Sequence, residues 1–177
     1  MEPTEMWSHE QRKRSALEKQ LLEEYFPGRT SWFNSTDANN TKVEIALNTN
    51  DKTEYTLRIY LQSDFPNSCP MLTVLSPRLK LKDGSRFPDC STEFHTLQCV
   101  DEYPSICHFH PEVWTQEDTL YQVFMKGRLW LEAYSLYHKT GESMDTFLKE
   151  FGSTPAPETI PVRRHRRSIF SFRRGRR

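Results

Sequence analysis

Nowhere in this 177-residue sequence do about eighteen apolar residues follow one another, so no segment has the length and hydrophobicity to cross a bilayer as a helix. The amino terminus, Met1-Glu2-Pro3-Thr4-Glu5, lacks both the basic start and the apolar run of a secretion signal. An intracellular location, cytoplasmic or nuclear, is expected. Cysteine is sparse: Cys69, Cys90, Cys99 and Cys107 show no Cys-x-x-Cys pair, and the chain is too large to need covalent staples, so they read as reduced thiols. Closely spaced metal ligands are scarce as well. In the set Cys90, His95, Cys99, Cys107, His108 and His110 only the two last stand as near one another as zinc knuckles require, so the expectation is no metal. No cysteine-protease signature surrounds any thiol. Without a signal, the sequons Asn34-Ser35-Thr36 and Asn39-Asn40-Thr41 read as polar loop chemistry.

What is present suffices for one modest core, since 36% of the residues are hydrophobic. The charge is balanced overall and divided locally. Residues 162–177 hold eight arginines and no acid, and because 24 basic and 24 acidic residues cancel over the whole chain, the remainder carries −8. Such a tail either folds back on the acidic body or reaches for an anionic partner.

Ser8 and Gln11 have capping-box spacing, and Leu17, Leu21, Leu22 and Tyr25 recur at helical intervals until Phe26-Pro27-Gly28, predicting a helix over 8–25. Residues 42–47 and 55–61 alternate polar and apolar around a short polar turn, as an antiparallel hairpin does. Residues 71–75 predict another strand and Trp32-Phe33 a weaker one. From Arg78 to Pro111 periodicity fades, and a segment that long reads as the site-bearing loop. Thr115 is the expected cap of a long helix whose buried face is Leu120, Val123, Phe124, Gly127, Leu131 and Tyr134, with Gly141 as its stop. A short helix over 145–151 is followed by a Pro-containing linker and a disordered Arg-rich tail, so the domain is placed at 8–151 and the linker and tail at 152–177.

The order of these elements, with Phe65-Pro66-Asn67-Ser68-Cys69-Pro70 between two strands, then Ser105-Ile106-Cys107, then Trp114-Thr115 before a helix, resembles the ubiquitin-conjugating enzyme fold and its RWD cousins. The resemblance covers residues 8–148. Trp130-Leu131 and Thr140-Gly141 look more like the divergent bacterial-type branch. It implies an α+β fold: an N-terminal helix, a four-stranded antiparallel meander, an active-site loop and a long C-terminal helix. Where the family's common form has His-Pro-Asn, this chain has His95-Thr96-Leu97, and no asparagine follows Asn67.

On that resemblance Cys107 would accept a ubiquitin-like protein as a thioester from an activating enzyme and pass it to an amine or thiol of a protein substrate. His95 and Gln98 would support the developing oxyanion, and Ser105 and Ile106 would set the loop. His108 and His110 beside the thiol would favour the thiolate, and Asp101, Glu102 and Glu112 would handle protons. Arg12, Lys13, Arg14 and Lys19 resemble the docking face for the activating enzyme, and no small cofactor is implied. Two alternatives stay open. One is a non-catalytic UBC/RWD-like protein-binding module in which Cys107 merely packs. The other is association with nucleic acid or an anionic membrane through Arg163, Arg164, Arg166 and Arg167, with Phe170 and Phe172 stacking or dipping into lipid. Trp114 and Trp130 read as core.

Overall fold

The computed structural model describes residues 5–152. Helix α1 (His9–Tyr25) begins at a complete capping box, in which Ser8 accepts from the Gln11 amide while the Gln11 side chain accepts from the Ser8 amide. The strands are β1 (Thr30–Phe33), β2 (Lys42–Asn48), β3 (Glu54–Tyr60), β4 (Met71–Ser76), β5 (Thr96–Val100) and β6 (Tyr103–Ile106). A short 3-10 turn at Pro111–Val113 leads to α2 (Leu120–Thr140) and α3 (Met144–Gly152). The fold is α+β, an N-terminal helix followed by an antiparallel sheet.

That sheet has six strands in the order β1-β2-β3-β4-β6-β5, rather than the expected four. The first four form the meander that the alternating pattern anticipates, with Val43, Ile45, Leu47, Leu57, Ile59, Leu72 and Val74 buried. The two additional strands lie in the stretch without periodicity. They are joined by Asp101 and Glu102, whose φ values of 49° and 66° are those of a two-residue turn with both residues left-handed. Asparagine and glycine usually fill such a turn; here an aspartate and a glutamate do, which removes the customary signal.

Helix α2 starts four residues later than Thr115 predicts. The Thr115 backbone and hydroxyl both bond the Asp118 carboxylate, forming a local turn, and Thr119 with Gln122 makes the capping box instead. The rest of the predicted helix holds: its anticipated apolar face is buried, and Gly141 closes it at φ 82°. Gly127 lets the helix lie directly on β3 and β4. A Cβ there would stand 2.7 Å from Leu72 Cδ2 and 3.0 Å from Leu57 Cδ1.

The apolar stripe expected on α1 is only partly used. Leu22 is buried, while Leu17 and Tyr25 are exposed, and the helix turns Ser15 and Glu18 inward instead. Glu18 Oε2 accepts the amide of Leu120 at 3.0 Å, placing a carboxylate at the α2 N-terminus. Arg14 pairs with Glu18 at 2.7 Å and donates to the carbonyls of Gln116 and Asp118. Burial pushes the Glu18 pKa above its ordinary value despite that pairing.

No helix among the described residues is long and apolar enough to cross a membrane. The tail arginines Arg163, Arg164, Arg166 and Arg167 lie outside the described residues, as does most of the expected linker.

Candidate functional site

Strand β6 delivers Cys107 to the surface. Ile106 points into the core and Ser105 bonds the Leu72 carbonyl at 3.2 Å, so the strand is pinned on its inner side. The next residue, Cys107, is exposed. Its amide donates to the His95 carbonyl at 2.8 Å, closing the open end of the β5–β6 hairpin opposite the two-residue turn.

His95 adopts φ 52°, a left-handed conformation that turns the chain into β5. The backbones of residues 95 and 107 are cross-strand neighbours, whereas the His95 imidazole meets Asp145 of α3 at 3.1 Å. The Asp145 carboxyl is held below its ordinary value, first by Lys149 and then by His95. Gln98 is exposed on β5, three residues beyond His95 and about 10 Å farther along the strand, so its amide is carried away from the sulfur rather than toward it.

The two histidines that follow Cys107 part company. His110 is exposed and lies 3.8 Å from Glu112. His108 folds inward, with Nδ1 3.1 Å from the Ile106 carbonyl and Nε2 3.7 Å from Cys69 Sγ. Burial lowers its pKa, so near neutral pH the ring is uncharged. With Nδ1–H donated to the carbonyl, Nε2 presents a lone pair to the Cys69 thiol. The notion that His108 supplies a cation to favour a thiolate is therefore corrected: this ring is a neutral clamp between the loop and the turn before β4.

Cys69 itself is half-buried. Burial, reinforced by nearby Cys107, pushes its pKa up to about 11, which keeps it a thiol. The same electrostatic neighbourhood holds Lys126 and Asp118. Beyond His108, Phe109 packs edge-on against Trp114 at 5.3 Å and carries the Lys126 ammonium 3.5 Å above its ring. The Trp114 indole donates to the Pro66 carbonyl at 2.9 Å. The turn from Phe65 to Pro70 and the loop from Cys107 to Trp114 thus form one packed unit beneath the exposed sulfur.

The acids expected to manage protons are elsewhere. Asp101 and Glu102 occupy the far end of β6, roughly 16 Å along the strand from Cys107. Asp101 there takes Lys42 at 3.0 Å and the Tyr60 hydroxyl at 3.1 Å, and the lysine holds its carboxyl below the ordinary range. Glu112 is exposed on the 3-10 turn. Asp118 was not singled out by sequence, yet it is the carboxylate whose charge is felt at Cys69, and its pairing with Thr115 three residues earlier was the available signal.

On α1, Arg12 and Lys13 are exposed, Lys19 sits 4.9 Å from the Trp32 ring, and Arg14 is spent on the internal contacts described above. Among the described residues no three His, Cys, Asp or Glu side chains converge as a metal site would need.

Compared with known proteins, the chain matches no family model and no curated sequence.

Proposed function

We propose that this is a ubiquitin-conjugating-enzyme-like domain in which Cys107 carries a ubiquitin-like protein as a thioester. The observation that carries the reading is the exposed sulfur at the end of β6, just ahead of the loop that leads to α2, in a chain whose elements run helix, six-stranded antiparallel sheet, helix, short helix. The Cys107 thiolate would attack the modifier's carboxyl-terminal thioester, expelling the activating enzyme's sulfur. An amine of a protein substrate would then attack the new thioester carbonyl, forming an amide and releasing the Cys107 thiol. Arg12 and Lys13 supply the exposed positive charge of a docking helix for the activating enzyme.

A second reading is favoured by the groups that are not at the sulfur. The His95 ring is engaged by Asp145, Gln98 lies three residues farther along β5, and His108 is neutral. A non-catalytic UBC/RWD-like binding module would need none of them.

The two readings separate when the full chain is mixed with an activating enzyme, ATP and candidate ubiquitin-like proteins. The enzyme yields an adduct that reducing agent removes, that Cys107→Ala abolishes and that Cys107→Ser converts to a reductant-stable oxyester. Partner binding with no adduct supports the module. An additional role for the Arg-rich tail in holding nucleic acid or anionic lipid predicts a salt-sensitive association lost on truncation at Thr159.

A further inference from the structure

At the end of β6 opposite Cys107, a cleft of about 330 Å³ opens under Arg78, Arg86 and Glu102. A second, much smaller cavity shares these three residues and is otherwise lined mostly by apolar side chains, among them Leu79, Phe87 and Tyr103. Both guanidinium groups are presented by fixed backbone. Arg78 follows Pro77 just after β4, and its guanidinium carbon lies 5.0 Å from the Tyr103 ring centroid, a cation–π contact that leaves N–H groups available. Arg86 closes a small hairpin through the bridge between residues 80 and 86, turned by Gly84 at φ 84°.

The charge in this cleft is incompletely satisfied. Arg78 meets Glu102 at 3.6 Å, and both side chains are largely exposed, 61% and 85% respectively. Arg86 reaches only the soft Cys99 sulfur, at 3.9 Å, and among the described residues it forms no carboxylate ion pair. Two forks therefore line one opening whose single lining carboxylate is loosely held, while Asp89 shares the Cys99 sulfur with Arg86. A carboxylate has two oxygens and saturates one fork, whereas a phosphate monoester has three acceptor oxygens and up to two charges and can engage both.

We propose that this cleft binds a phosphate monoester dianion, with Arg78 and Arg86 taking its oxygens, Glu102 displaced outward, and the ester's carbon toward the smaller apolar cavity. The site is separate from Cys107 chemistry and would stand if that chemistry failed. The ester could be free or carried on a protein side chain, and the probes distinguish these sources.

The test uses the full chain at low salt and pH 7.5, titrated separately with phenyl phosphate, O-phosphoserine, a phosphoserine peptide and acetate, reading backbone amide resonances of residues 78–86 and 99–104. Saturable shifts are expected with the esters and not with acetate. Arg86→Ala should weaken binding about tenfold, and Arg78→Lys, which keeps the charge but loses the fork, about fivefold. Glu102→Gln should tighten it about threefold, because the competing carboxylate is gone. Lowering the pH to 5 should weaken binding as the dianion is protonated. Peptide binding well above that of phosphoserine assigns the site to a protein-borne phosphate, and equal binding assigns it to a small ester. Shifts confined to residues 162–177, acetate binding equal to the esters, or affinity unchanged in Arg86→Ala would overturn the proposal.

Discussion

The β1–β4 meander and the segment from Arg78 to Thr119 are built by different means. In the meander, alternation does the work: every second residue of β2 and β3 is buried, and register follows from the buried face. In the later segment, side-chain alternation is weak and the backbone is held by individual clasps. Four of the six non-glycine residues with positive φ, namely Cys90, His95, Asp101 and Glu102, fall there. Their geometry is maintained by contacts such as Cys107 to the His95 carbonyl and Trp114 to the Pro66 carbonyl. The lesson is that one region is specified by pattern, while the other buries Leu79, Phe87, Phe94, Ile106 and Trp114 without periodicity and needs individual bonds to fix its turns.

The most damaging test of that contrast is Leu72→Ala. Leu72 is fully buried on β4, beneath Gly127 of α2, and its truncation should cost about 2–5 kcal/mol in chemical denaturation. The transition should move together for probes in both regions, and a change restricted to the loop would break the comparison.

A smaller effect, confined to one pH window, is expected at His108. Its folded pKa is depressed by burial from the ordinary value of 6.5, so below about pH 6.5 the unfolded chain binds a proton that the folded chain resists. The His108 contribution is complete above that pH and declines as pH falls toward the folded pKa. Denaturation at pH 7.5 and 5.5 should show wild type losing more stability on acidification than His108→Gln, and equal losses would show that the ring is solvated. The loop clasped to Cys69 should open first, seen as faster alkylation of that thiol relative to exposed Cys107.

The gentlest change should act in the opposite direction. Glu102→Gly removes the cost of a side chain at φ 66°, about 1–2 kcal/mol, against about 0.5–1 kcal/mol of added chain entropy. A net gain of about 0.5–1 kcal/mol is expected from thermal or chemical melts. A loss would mean that the Glu102 contact with Arg78 outweighs the turn strain.

The same division explains what could be read in advance. Residues 42–47, 55–61 and 71–75 reveal their strands through period-two burial, and α2 shows its face through Leu120, Val123, Phe124 and Leu131. Strands β5 and β6 escaped because Thr96, Leu97, Gln98 and Cys99 do not alternate in burial and because Asp101-Glu102 is an unusual pair for its turn. Thr115 misled as a cap because a threonine followed by Asp118 can satisfy itself in a turn. Cys107 was locatable from its neighbours in the chain. That His108 would be a buried neutral clamp, and that Cys69 would lie beside it, depends on contacts across 39 residues that no local pattern encodes.

Arg14 and Glu18 have a mechanical consequence. One ion pair on the first helix grips the carbonyls of residues 116 and 118 and the first amide of α2, so it works as a rivet through two plates. Any load applied to α1 from outside is passed to the backbone of Asp118, the residue whose carboxylate also holds the Thr115 turn. The opening helix and the entry to α2 are thereby riveted together, although about a hundred residues of chain separate them.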